Sequence, residues 1–421
     1  MSSIKPFAAV HYNPERINDF SKVVCPPYDV ISVEQQNEYH NVSPYNFIHI
    51  MLGKDKENDT KTNNKYTRAK TIFESWLKKE VLVQDEKPSI YFYKQEYKIQ
   101  GEKHSRMGFI SLMQLQDDNE SKVYPHEKTH SHAVEDRLTL WRTLNSNLSC
   151  IFVCYSDKQK KVDKIFHKDV ISQKPLIDVV DHDKVRHKLW KLDDEVLIDE
   201  INRSIDGQQL FIADGHHRYE VSKQLRKLHM ERKAKSTGKE PFNYVMTYFT
   251  NIDSKDLQIF PMHRIVKNFS ENESLLEEYF RIDKVKSKEE LLIVLARAGR
   301  NEHAFGLYTR DGIRLLRLKN KTLINEHVTE GSEEYKKLDA TILKYFVFDK
   351  SGIASNEIIY TKDINEAFDM VNEHQADASF IMNPVKIEQL KAVALNGERM
   401  PPKTTYFYPK VLSGLTVYKM D

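Results

Sequence analysis

Between residues 209 and 233 the hydrophobic pattern changes period within a few positions, and that change limits what the chain can fold into. Residues 209–213 are a short apolar run of strand type, closed by Asp214-Gly215. From Tyr219 onward, apolar residues recur at Val221, Leu225 and Leu228 with helical spacing. A strand that passes through a tight turn straight into a helix, here running to about residue 233, is a unit of α/β architecture. Gly215 suits the turn because it adopts backbone conformations that a Cβ disfavours, and Asp214 is available as the helix cap.

The remainder alternates in the same way. Helical spacing is found at 64–80 (Ala69, Ile72, Phe73, Trp76, Leu77), 133–145, 271–279, 289–298, 332–345 and 364–373. Strand patterns occupy 90–97, 106–115, 150–155, 244–251, 304–309, 313–318 and 379–382, with further strands expected at 47–52 and around 415–418. Cys25-Pro26-Pro27-Tyr28-Asp29 cannot be helix interior, because each proline lacks an N–H and constrains its predecessor; it is an ordered turn. A chain of 421 residues exceeds what one core usually serves. The expectation is a multi-domain, mixed α/β (α+β) fold divided into 1–118, 119–268 and 269–421.

Charge separates the functional classes. Lys and Arg number 64 against 62 Asp and Glu, a formal net charge of +2. There is no basic excess of the kind that nucleic-acid binding requires. No apolar stretch approaches the ~20 residues of a membrane span, and residues 1–10 lack the signal-peptide pattern. Cys25, Cys150 and Cys154 are the only cysteines. The last two, four apart in a strand, stand roughly 13 Å from each other, too far for a disulfide. Buried thiols in a reducing compartment follow, and the expected location is the cytoplasm.

The chemistry concentrates in Ala213-Asp214-Gly215-His216-His217-Arg218-Tyr219-Glu220. The first N–H groups of a helix lack intrahelical acceptors and lie at the positive end of its dipole, a combination that suits an anion. His216, His217 and Arg218 add donors: Arg offers a planar fork to phosphate, and His moves protons near neutral pH. On local physics alone the same residues suit a capped helix with solvated side chains equally well.

The segment resembles the phosphate-holding box of the ParB/sulfiredoxin superfamily, and is especially similar to the form in ParB-like free serine kinases. Val123-Tyr124-Pro125-His126-Glu127 resembles those kinases' strand leading to a catalytic Glu. Over nearly its whole length the chain resembles the family known as domain of unknown function 1015. The hallmarks are Cys25 to Val30, Ser43-Pro44-Tyr45-Asn46-Phe47, His126-Glu127-Lys128-Thr129, Asp136-Arg137, Ala213 to Glu220, Pro261-Met262-His263-Arg264, and Met400 to Lys410.

These resemblances imply a ParB/sulfiredoxin-like strand–turn–helix core that binds a nucleotide, ADP or ATP. They imply phosphoryl transfer to or from a small hydroxyl compound, serine or phosphoserine first. Asp214, Gly215, His216, His217 and Arg218 would hold phosphates, Glu127 would be the base with His126 and His217 assisting, and Asp214 or Asp136 would place Mg²⁺. Tyr28, Asp29, Asp136, Arg137, His263, Arg264, Arg399 and Lys403 are secondary candidates. Two rival readings remain: a nucleotide-binding regulator without turnover, and a zinc hydrolase. The latter rests on His126-Glu127-Lys128-Thr129-His130, which on a helix would place two His on one face with Glu as base.

Overall fold

The computed structural model describes residues 4–117, 119, 121–129, 131–232, 237–270 and 272–420. They form two compact units, one of Met1–Pro125, Thr129–Leu257 and Pro409–Asp421, the other of His126–Lys128 and Gln258–Tyr408. The fold is mixed α/β throughout, and among the described residues no helix is long and apolar enough to cross a membrane.

The first unit is built on a nine-stranded sheet. Its order is Val123–Tyr124, Leu210–Asp214, Ile151–Tyr155, Tyr244–Asn251, Glu102–Gln114, Ile90–Ile99, Arg186–Leu192 and Ile177–Val180, with Ile4–Lys5 also pairing Glu102–Gln114. Two pairs are parallel, Leu210–Asp214 with Val123–Tyr124 and Tyr244–Asn251 with Ile151–Tyr155; the others are antiparallel. The long central hairpin turns on Gln100 and Gly101, both at positive φ (+50° and +85°), the conformation that matches a two-residue turn to strand twist. Consecutive residues Ile90 to Tyr93 and Ile151 to Tyr155 are all buried, so this sheet is covered on both faces there. Helices Lys65–Lys78, Ser131–Leu144 and His216–Glu231 pack in series. Strands from the expected regions 1–118 and 119–268 pair with each other in this one sheet, so backbone hydrogen bonding joins the two regions.

The second unit is a six-stranded antiparallel sheet in the order Phe280–Val285, Gly312–Leu318, Ala304–Thr309, Ala378–Ile381, His263–Val266, Ile358–Thr361. Successive strand residues feed opposite faces. Val266, Leu316 and Phe380 enter one apolar core with Leu276, Ile342 and Phe346, while Ile265, Leu315 and Ile381 enter another with Leu291, Leu295 and Phe368.

Two expected elements differ. Residues 47–52 alternate like a strand but contain the helix Ile48–Met51, because the Asn46 side chain accepts from the Ile48 N–H at 3.0 Å and starts a turn instead. The single helix expected at 332–345 is two short ones, Glu333–Lys336 and Asp339–Leu343, followed by a π-helical turn at Lys344–Phe348. Leu338 between them is extended and fully buried; placing that side chain in the core breaks the helix.

Candidate functional site

The strand Leu210–Asp214 pairs regularly with Ile151–Tyr155 until a bulge falls between Ile212 and Asp214. A bulge bends the strand and re-aims the side chain that follows, here Asp214. Gly215 then takes φ +88° and opens the helix His216–Glu231 with no side-chain cap, whose first hydrogen bond runs from Tyr219 N–H to Gly215 O at 2.9 Å. The expected capping role of Asp214 is therefore corrected. Its carboxylate accepts from two cations instead, Arg218 Nη2 at 2.5 Å and Lys410 Nζ.

Those cations decide the ionisation of Asp214. Burial alone would raise its pKa, but Lys410 and Arg218, aided by His216, hold it well below the ordinary carboxylate range. Arg218 is 2% exposed and also donates to the Cys150 carbonyl. Its guanidinium is thus turned into the unit, where it anchors Asp214. His216 is buried on the first helical turn and His217 is half-buried. Lys410 was missed as an individual site residue. Its main chain is fixed from below: Gln95 Nε2 donates to Lys410 O at 2.8 Å, and buried Arg106 donates to Pro409 O.

The turn at residues 25–30 lies within electrostatic reach of the same charges. Tyr28 follows Pro26-Pro27 in a short turn, and its hydroxyl pKa is pushed up to about 12 by burial, with Asp29 and Asp214 adding and Arg218 and Arg137 opposing. The Arg137 guanidinium lies 4.5 Å from the Tyr28 ring centroid, is 4% exposed, and donates to Met51 O at 2.6 Å and to Asp136. Ser43-Pro44-Tyr45-Asn46-Phe47 holds this turn in place. Buried Asn46 donates to Lys22 O at 2.8 Å, and the Phe47 N–H donates to Val23 O at 2.7 Å. Asp29 is exposed.

Neither expected magnesium ligand offers an open carboxylate. Both Asp214 oxygens accept from cations. Asp136 accepts from Tyr66 Oη at 2.7 Å, pairs with Lys65 at 3.2 Å and with Arg137. Among the described residues no group of three or more His, Cys, Asp or Glu side chains is arranged to hold a metal. The donor set does not fit Mg²⁺.

Other candidates lie in the second unit. The chain at 126–129 is not helical: Glu127 pairs with Met400 in a β-bridge, and the helix begins only at Ser131. This removes the single helical face that the zinc reading requires, and His130 lies outside the described residues. His126 Nε2 is 3.0 Å from Thr405 Oγ1, and Glu127 Oε1 accepts from the Lys403 N–H at 3.2 Å. Arg399 donates to the carbonyls of Gly397 and Glu398. His263 Nδ1 accepts from the Met382 N–H at 3.1 Å, and burial, then Arg264, lowers its pKa to about 4. Arg264 is 4% exposed.

A family model described as "Protein of unknown function (DUF1015)" matches residues 4–341. No curated protein matches the chain. Among solved structures, the chain is similar to a free serine kinase mutant in complex with AMP (16% identity, TM-score 0.36, covering 68% of this chain and 84% of that one). It is similar also to a conserved hypothetical protein from Pyrococcus furiosus (14%, 0.34, 69% and 89%) and to SbnI with a C-terminal truncation from Staphylococcus aureus (13%, 0.37, 72% and 85%). The extent of the family match shows that the chain belongs to the DUF1015 family.

Proposed function

We propose that this member of the DUF1015 family moves a phosphoryl group to or from the hydroxyl of a small compound, serine or phosphoserine first, with nucleotide phosphates held at residues 214–218. One observation carries the reading: Arg218 and Lys410, remote from each other in sequence, both bind the carboxylate of Asp214, and the Tyr28 turn, with Arg137 against its ring, lies within electrostatic reach of the same group. In that reading Lys410, His216, His217 and the amides of the first helical turn receive the phosphates, while Arg218 positions Asp214 and Arg137 positions Tyr28. Such reactions are driven mainly by positioning and charge stabilisation, which clustered fixed donors supply.

In the forward direction the substrate hydroxyl oxygen bonds to the transferred phosphorus, and the bond from that phosphorus to the nucleotide oxygen breaks. The hydroxyl proton passes to a base. Glu127 is assigned as that base on the likeness of Pro125-His126-Glu127 to the kinase segment. The test is phosphorus NMR of the purified protein with serine, phosphoserine, AMP, ADP and ATP in pairwise combination. Conversion of one phosphate species into another supports the reading, whereas nucleotide binding without any conversion favours a regulator. Absence of both binding and conversion overturns it.

A further inference from the structure

The break between the helices Glu333–Lys336 and Asp339–Leu343 places a carboxylate as well as a core residue. Leu338 is extended and buried, so Asp339 opens the second helix, and its Oδ1 lies 2.8 Å from His303 Nδ1. His303 stands just before the strand Ala304–Thr309, its carbonyl accepting from the Leu318 N–H at 3.0 Å. A carboxylate only accepts, so Nδ1 carries the hydrogen, and in the neutral ring Nε2 keeps its lone pair. The side chain is 15% exposed. Among the described residues Nε2 has no hydrogen-bond partner, and it is not one of the sealed atoms that lack one. It is an acceptor open to an incoming ligand.

His303 lines an open cleft of about 330 Å³, together with Arg300, Lys321, Asp339, Asn383 and Lys386. Gly299 at its wall makes room for Asn383, since a Cβ there would overlap the side-chain amide nitrogen. That nitrogen donates to Leu295 O at 3.2 Å, while Oδ1 takes no donor among the described residues and is a second acceptor. Glu302 also lines the cleft but pairs with Arg317 at 3.4 Å. Arg300, Lys321 and Lys386 have no carboxylate partner among the described residues; Lys321 Nζ donates to the Asn301 carbonyl at 3.1 Å instead. Like charges gathered in one concavity raise its potential and draw an anion there. Three cations exceed the charge of one carboxylate, whereas a phosphate monoester carries about −1.5 to −2 at neutral pH.

We propose that this cleft of the second unit is a binding site for a small organic phosphate. Arg300, Lys321 and Lys386 take the phosphate group, and His303 Nε2 and Asn383 Oδ1 accept from hydroxyl or ammonium groups on the carbon skeleton. Asp339 positions the His303 ring. The site stands independently of the reading given to residues 214–218.

The test uses the full chain carrying Gly215→Val, so that phosphate held at the first-unit turn does not contribute. Should that variant fail to fold, the same titrations are made on the otherwise wild-type chain, where the second-unit variants reveal the share bound in the cleft. Glycerol 3-phosphate, phosphoethanolamine and inorganic phosphate are titrated by calorimetry at neutral pH. One of the two organic phosphates should bind at least about fivefold tighter than inorganic phosphate, and which one it is shows whether the skeleton's donor is a hydroxyl or an ammonium. Lys321→Met and Lys386→Met, both at exposed positions, should each weaken all binding by about two- to fivefold. His303→Asn keeps a donor for Asp339 and removes Nε2. It should abolish the preference for the organic phosphate while leaving inorganic phosphate within about twofold. A histidine that only ties strand to helix would change the melting temperature and leave that preference intact. Four results each overturn the proposal: no phosphate binding, equal affinity for all three compounds, affinities unchanged in both lysine variants, or the preference retained in His303→Asn. None of them touches the reading of residues 214–218, which fails only if Gly215→Val leaves nucleotide binding intact.

Discussion

Replacing Lys410 by Met tests the charge cluster most directly, because the substitution keeps the aliphatic stem and removes one of the two cations on Asp214. Both side chains are mostly buried, 12% and 14% exposed, so solvent screening is limited. Arg218 remains as a partner, so the loss is that of one charge-assisted hydrogen bond, about 1.5–3 kcal/mol. In a unit of this size that corresponds to about 3–12 °C in melting temperature. The pH dependence follows from the depressed pKa of Asp214. Its ion pairs add stability at every pH above the unfolded carboxylate value of about 3.9, and that stability is lost as pH falls through the lower folded pKa. In Lys410→Met the folded pKa moves back toward the unfolded value, so the variant's smaller contribution is exhausted at higher pH than that of the wild type. Thermal unfolding of both proteins from neutral pH into strong acid should show the full gap at neutral pH, closing only once pH falls below the variant's folded pKa, which lies under the unfolded value of about 3.9. A gap under about 0.5 kcal/mol at pH 7, the range of ordinary surface changes, or one that persists unchanged into acid, would refute the pairing.

Three further outcomes are expected. Arg218→Ala should unfold in denaturant with a loss of about 3–5 kcal/mol, since it strips a buried carboxylate of its anchor and leaves the Cys150 carbonyl unpaired; full stability with only weakened nucleotide binding would show that Arg218 faces ligand instead. Gly215→Val combines a left-handed residue at φ +88° with a Cβ 3.0 Å from the Arg218 Cζ and Nε, a strain of about 1–3 kcal/mol. Calorimetry should find nucleotide binding lost in that variant, and normal binding would remove the phosphate turn. Glu127→Gln keeps shape but accepts no proton, so turnover measured by phosphorus NMR should drop by about 10²–10⁴-fold with nucleotide affinity retained. Wild-type rates in that variant would remove Glu127 as the base.

What was legible in the sequence was what local chemistry writes there. The shift from strand to helical spacing at 210–231 placed the turn, and Gly215 declared the left-handed position. The prolines before Tyr28 excluded a helix interior there, and the chain takes a single 3-10 turn at Tyr28–Val30 instead. What local reasoning misassigned was direction. Arg218 was read as facing an anion from outside, yet Asp214 and Arg218 stand four apart, the spacing at which helical neighbours pair, and that signal was present. Lys410 lies 196 residues from Asp214; no local pattern links them, and it is Gln95 and Arg106, from two strands of the sheet, that hold the backbone at 409–410 beside the turn. The alternation at 47–52 misled because Asn46 competes for the backbone more strongly than β-propensity acts over so short a run.

The unequal holding of the two cations gives the Asp214 cluster a direction of action. Arg218 is pinned at both ends of its fork, by Asp214 and the Cys150 carbonyl, and fills the space that a side chain at position 215 would need. Lys410 is pinned at its backbone by Gln95, and its four-carbon stem lets the ammonium turn about that fixed point. Two cations this close repel unless negative charge lies between them. In the resting protein Asp214 supplies that charge. Under the proposed reaction an incoming phosphate carries more charge than one carboxylate, so it competes with Asp214 for Lys410, while Arg218 keeps the carboxylate ionised and in place. The carboxylate thus stores a preoriented lysine at low reorganisation cost, and this accounts for a buried acid beside an anion site, where its own charge would otherwise work against binding.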